Sequence, residues 1–237
     1  MLKPIRSWTG EGFDRELRFI FPLEKVSVDY KHAITKRTAF LDPICAELWN
    51  KLPCEMQSVS DMWRSGRASL SAIKRGRPAA RPGNSGHNWG MSIDLNLTKV
   101  IKNLGLKGGW NRKIDSLRDA YSEYGWIYIS PQNEQWHFNG LGIGDTDHRG
   151  YWAVDHWVND RWDLELTVEE IQGALKMASK VWGDGGSKFD PGKVDDDMGP
   201  LTRKALRKFA YTIRYSEDSK NLLRALIAFC AWTPEED

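Results

Sequence analysis

Long apolar runs are missing from this 237-residue chain: the longest, Ala225–Trp232, holds eight residues, where a membrane-spanning helix needs about twenty. A spanning helix is therefore not expected, and the run reads as the end of a buried helix. Cysteine is scarce as well. Cys45, Cys54 and Cys230 are the whole set, odd in number and too few for a disulfide scaffold, so synthesis in a reducing compartment is expected. The segment after Met1 runs into Trp8-Thr9-Gly10-Glu11-Gly12 without the roughly 7–15 apolar residues of a secretory signal, so no export by the usual route is expected. Charge of one sign is not in excess: 34 Lys and Arg against 32 Asp and Glu leave +2. That balance argues against a protein that coats nucleic acid or inserts into an anionic membrane.

What is present is ordinary globular usage, 41% hydrophobic and 28% charged, with one excess. Twelve tryptophans suit the walls of sugar- or peptide-holding grooves as well as they suit a core. Between Met62 and Ile93 no acid occurs, while Arg64, Arg67, Lys74, Arg75, Arg77 and Arg81 do. This stretch favours an anionic or carboxylate-bearing partner, or else a solvated basic face.

Apolar spacing predicts helices over 14–21 and 38–52, the second stopped by Pro53, and a short strand over 56–62. The turn-rich Arg81-Pro82-Gly83-Asn84-Ser85-Gly86 delivers His87 to the start of a strand that alternates through Ile93, Asp94 and Leu95. A helix over 111–124 closes at Gly125, and two strands, 126–129 and 134–138, flank a turn at Ser130-Pro131-Gln132-Asn133. Gly140–Gly144 reads as a flexible exit loop. Thr167 and Glu170 form a capping box ahead of a helix to Val181, and a further helix covers 202–211. The class expected is α+β, with a domain over 1–150, a linker over 151–164 and a small all-α module over 165–237.

His87, Asp94 and His137 supply two imidazoles and a carboxylate, a donor set that fits a catalytic zinc with one position left open, and Glu134 stands three residues before His137 as a candidate general base. Their surroundings sharpen this. Ser85-Gly86-His87-Asn88-Trp89-Gly90-Met91-Ser92-Ile93-Asp94 resembles the S-x-H-x-x-G-x-A-x-D motif of the zinc D-Ala-D-Ala carboxypeptidases and L-alanyl-D-glutamate peptidases, the VanY-like group related to the hedgehog fold, with Ser92 where Ala is usual. Glu134-Gln135-Trp136-His137 resembles that family's E-x-W-H, and Tyr124-Gly125-Trp126 its lead-in.

The resemblance implies one Zn2+ on His87, Asp94 and His137, with Glu134 moving the proton. It implies a small antiparallel sheet with flanking helices. Gly90 allows the tight backbone that brings His87 and Asp94 together. Trp136 is expected to pack beneath the site and orient His137, and Ser85 to hydrogen-bond substrate or a ligand side chain. An upstream Arg holds a substrate carboxylate or developing oxyanion in this family. Trp63-Arg64-Ser65 makes Arg64 the first choice, but the usual Gln a few residues on is absent, leaving Arg67 and Arg81 open.

Further on, Val194-Asp195-Asp196-Asp197-Met198-Gly199-Pro200-Leu201-Thr202 and the helix after it resemble the signature of a three-helix peptidoglycan-binding module, with Asp196 in place of Gly and Met198 in place of Phe. Together the resemblances imply a monomeric zinc peptidase acting on the peptide stems of bacterial peptidoglycan, of phage endolysin type. Such an enzyme is made in the host bacterial cytoplasm and reaches the wall after release. An L-alanyl-D-glutamate endopeptidase is favoured over a D-Ala-D-Ala carboxypeptidase. The rival is a non-catalytic, zinc-stabilised wall-binding protein. Nucleic-acid binding through Arg64–Arg81 is disfavoured by the balanced charge. His32, His148 and His156 carry no assigned role, and Cys45 and Cys54 read as buried thiols.

Overall fold

A computed structural model describes residues 1–30, 39–77, 79–128, 134–140, 157–182, 188–215 and 220–233. The turn at 130–133, the loop at 141–144, His32, His148, Tyr151, Trp152 and His156 lie outside the described residues. The fold is α+β, and no described helix is long and apolar enough to cross a membrane.

The chain forms two units, each assembled from separated stretches: Leu23–Arg64 with Gly86–Val158, and Met1–Pro22 with Ser65–Ser85 and Asn159–Asp237. The single boundary expected near residue 150 is not what the fold shows. The difference has a plain cause in strand pairing at the two ends of the chain.

In the second of these units, β1 (Ile5–Thr9) and β2 (Glu16–Ile20) form an antiparallel hairpin, and β10 (Ala231–Trp232) adds parallel to β2. The helix expected over 14–21 is therefore a strand, preceded by a single 3-10 turn. Leu17, Phe19 and Phe21 are fully buried at period two, the spacing of one strand face. The unit's helices are α2 (Gly66–Lys74), α5 (Val168–Trp182), α6 (Pro200–Ile213) and α7 (Lys220–Phe229). The C-terminal part is thus not all-α, because β10 completes a sheet begun at the N-terminus. Gly66 lets α2 approach α7 closely: a Cβ there would lie 2.9 Å from the Ala228 carbonyl carbon.

The α5 start is a closed capping box. Glu170 N–H donates to Thr167 Oγ1 at 3.2 Å and Thr167 N–H to Glu170 Oε2 at 2.9 Å. Gln172, nearly fully buried, organises the loop before α6: its amide donates to Asp195 Oδ1, the Asp197 carbonyl and Thr202 Oγ1, and its Oε1 accepts from the N–H groups of Asp195 and Asp196. Asp196 has φ +63°, which gives a physical reason for glycine at this place in the motif it resembles.

The other unit centres on a five-stranded sheet. Its strands are β4 (Asp29–Tyr30), β6 (Ser58–Asp61), β7 (Ser92–Leu95), β8 (Trp126–Ile127) and β9 (His137–Gly140), in the order β4-β6-β7-β9-β8. All neighbours are antiparallel except β4 and β6. A two-stranded piece, β3 (Glu24–Lys25) with β5 (Phe40–Leu41), stands at the expected start of the helix over 38–52. The helix itself, α1 (Pro43–Lys51), starts at Asp42, whose carboxylate accepts from Ile44 N–H at 3.0 Å. Two more helices, α3 (Leu97–Asn103) and α4 (Trp110–Ser122), complete the unit. Trp49, Trp89, Trp126, Tyr121 and Phe138 are fully buried here, so most of the aromatic excess in this unit is core.

Candidate metal centre

Strand register gathers the site. Asp94 on β7 is directly opposite His137 on β9, and Asp61 on β6 is opposite Asp94 on its other side. Directly opposed residues share a face, so the three line up across three adjacent strands. The Asp61 position depends on a β-bulge: the register shifts between Val59 and Asp61, which turns Asp61 onto the Asp94 face.

His87 arrives from a 3-10 turn, Gly86–Trp89, that leads into β7. Gly90 closes this turn at φ +69°, and a Cβ there would lie 2.6 Å from the Asp42 nitrogen and 3.0 Å from the Leu41 carbonyl carbon. Only glycine meets both demands without displacement of backbone. Ser92, the departure from the motif, donates its hydroxyl to Asn139 Oδ1, its cross-strand partner on β9.

The donor atoms converge. Asp94 Oδ1 is 2.9 Å from His137 Nδ1 and 3.2 Å from His87 Nε2, and the two ring nitrogens are 3.2 Å apart. His87 is fully buried, and its Nδ1–H donates to the Met62 carbonyl at 2.5 Å. That bond fixes the tautomer and leaves the Nε2 lone pair facing a carboxylate oxygen and a second imidazole nitrogen. Three ligand-type atoms that meet at one point suit a shared cation, or a proton in its absence. A divalent cation with a preference for nitrogen and oxygen donors fits this set, and the described residues contain no other such cluster.

Without an ion, protons on the rings take its place. Burial alone would raise the Asp94 carboxyl, but attraction to a protonated His87 and the hydrogen bonds that both imidazoles donate when they carry a proton at the facing nitrogen hold it well below the ordinary carboxylate range. Asp61 is displaced the other way. Desolvation raises it, against the opposing pull of His87 and Arg64, and the nearby Asp94 charge adds to the rise.

Arg64 belongs to the same unit as these residues, and its backbone is tied to the ligand turn. Its N–H donates to the His87 carbonyl at 3.1 Å and its carbonyl accepts from Asn88 Nδ2 at 2.8 Å. Its guanidinium pairs with Asp61 Oδ2 at 3.2 Å. The two alternatives lie in the other unit and are engaged there: Arg67 lies 3.9 Å over the Trp232 ring, and Arg81 donates to the Arg214 carbonyl. Ser85 is buried and ends a segment assigned to that unit.

Glu134 is half-buried, and its carbonyl accepts the His137 N–H at 3.0 Å. Trp136 does not pack beneath the site: it is 38% exposed, while its carbonyl accepts from Leu95 N–H at 2.8 Å. The backbone, not the indole, anchors the segment that carries His137. Trp110 is also exposed, at 50%, and its indole N–H donates to Gln135 Oε1 at 2.5 Å. No protein-family model, curated protein or solved structure matches the chain. Asp61 and the Met62 carbonyl are the residues that sequence reasoning missed. The bulge that aims Asp61 leaves no trace in residue periodicity, and a backbone acceptor has no sequence signal.

Proposed function

We propose that this chain is a zinc peptidase that hydrolyses an amide bond in the peptide stems of bacterial peptidoglycan. The observation that carries the reading is the meeting of His87 Nε2, Asp94 Oδ1 and His137 Nδ1 within 3.2 Å of one another, in the order and sequence context of the VanY-like motifs. The hedgehog-like fold of that family and the phage endolysin origin belong to the same proposal.

When bound, zinc supplies Lewis acidity for activating water and an amide carbonyl. The protein's own residues do the rest. Met62 holds the His87 ring in the tautomer that keeps Nε2 free. Glu134 accepts the proton of the attacking water and passes it to the leaving amine. Arg64, oriented by Asp61, binds a stem carboxylate or the oxyanion that develops on the carbonyl. An L-Ala-D-Glu bond is favoured as the point of cleavage, with a terminal D-Ala-D-Ala bond as the second choice.

The test is mass spectrometry of fragments released from purified peptidoglycan by the wild-type protein, by Glu134→Ala and by a chelated sample. New amino termini that vanish in both controls are expected, and their sequence names the bond. Intact stems in the wild-type digest would overturn the peptidase reading and leave a wall-binding protein that keeps a zinc site.

A further inference from the structure

The unit that contains α2, α5 and α7 holds a cleft of about 270 Å³. Arg67, Leu70, Ser71 and Lys74 on α2 line it, facing Trp182 at the end of α5 and Phe229 on α7. No carboxylate is among the lining residues. The Lys74 ammonium lies 3.6 Å from the centroid of the Trp182 ring, and a third cation, Lys188, lies 4.8 Å from the same ring. Among the described residues neither lysine has a carboxylate partner.

An aromatic face orients an ammonium group and lowers its energy, but it carries no net charge and neutralises nothing. Lys74 in the cleft and Lys188 beside the same ring repel each other, and a single Glu on α2 would relieve that repulsion. That whole helix and its flanks carry none. Leu70 and Phe229 add an apolar floor beside the charges. The complement of such a surface is an anionic group with an apolar or ring-bearing flank.

We propose that this cleft is an anion-binding site for acidic polymer of the bacterial wall, in which Lys74 contacts the anionic group, Lys188 adds positive charge beside the Trp182 ring, and Trp182 holds Lys74 in place. The choice of polymer rests on the peptidase reading. The anion is either a carboxylate of the peptide stem or a phosphate of a wall-linked polymer, and the cleft's chemistry is common to both.

The test is co-sedimentation of the full chain with purified walls, either with their phosphate polymers intact or stripped of them by acid. Glu134→Gln is the background in every sample, so that the walls persist. Charge reversal at both lysines, Lys74→Glu with Lys188→Glu, is expected to weaken binding by at least about tenfold, while Lys74→Arg with Lys188→Arg stays within about twofold. Loss on both kinds of wall assigns the carboxylate, and loss confined to phosphate-bearing walls assigns the phosphate. Equal binding by the reversed and parent chains, or no binding by the parent, overturns the site. The peptidase reading is scored separately, by the new amino termini the wild-type chain releases. A chain that cuts walls but binds them regardless of lysine charge sinks only the cleft, and one that binds through the lysines but never cuts sinks only the peptidase.

Discussion

Asp94 and His137 face each other across β7 and β9, with Oδ1 2.9 Å from Nδ1. Because the pair is set by strand register, each residue is held by its neighbours' backbone bonds before any ion arrives. Removal of either is expected to abolish metal loading with little effect on the sheet. Elemental analysis of protein purified with zinc should give roughly one ion per wild-type chain and per Arg64→Ala chain, and almost none for Asp94→Ala or His137→Ala. Full loading of His137→Ala would remove it from the ligand set.

Gly90 tests the ligand turn independently of chemistry. Its φ is +69°, and the Asp42 nitrogen lies 2.6 Å from the place a Cβ would take, which leaves no room for alanine. Left-handed backbone costs a non-glycine residue about 1–2 kcal/mol and overpacking against backbone about 1–3 more. Gly90→Ala should therefore lose roughly 2–5 kcal/mol in urea unfolding, and should bind zinc more weakly because the turn carries His87. A variant as stable as wild type would show that the turn relaxes freely.

Asp61 gives a pH signature. Its carboxyl is raised above the ordinary value of 3.8, chiefly by burial, so between 3.8 and the raised value the folded chain holds more proton than the unfolded one. Stability from this group then falls as pH rises through that window and stays lower above it. Asn at this position cannot titrate. In metal-free protein, the stability difference between wild type and Asp61→Asn should shift in favour of Asn as pH is raised from about 3.5 to 7. Urea midpoints measured across that range decide it, and a difference that is flat or moves toward Asp contradicts the assignment.

The thiols differ sharply in access. Cys54, expected to be buried, is exposed, whereas Cys45 and Cys230 are buried, and burial pushes the Cys230 thiol up to about 12. A colorimetric thiol reagent at about pH 8 should titrate one group quickly in native protein and all three after unfolding. Fast reaction of two or more native thiols would show that the core around Cys230 or Cys45 opens readily.

The His87, Asp94 and His137 cluster, the α4 and α5 helices and the capping box are legible in the sequence because each rests on local signals: motif spacing, 3.6-residue periodicity, and Thr167 three residues before Glu170. The β2 strand is not. Leu17, Phe19 and Phe21 alternate, yet Ile20 between them is also buried, which blurs the period. Its pairing with β10, at the opposite end of the chain, has no local trace. Asp61 escapes for a related reason. A bulge shifts one residue against the pleat, and only the neighbouring strand shows which face it then joins.

Trp136 carries the last prediction. Large indoles are costly to leave in water, and both Trp136 and Trp110 are left there, the second pinned by Gln135 at 2.5 Å. Gln135 and Trp136 stand in the chain between the candidate base Glu134 and the candidate ligand His137, and exposed indoles suit contact with a peptide stem or a sugar ring. If they serve substrate, Trp136→Ala and Trp110→Ala should each raise KM on wall polymer by roughly three- to tenfold, the value of one aromatic contact. Zinc content should stay at wild-type level, and urea stability should remain within about 0.5 kcal/mol, as surface replacements do. A drop in stability of several kcal/mol with KM unchanged would mean that the indoles serve the fold instead.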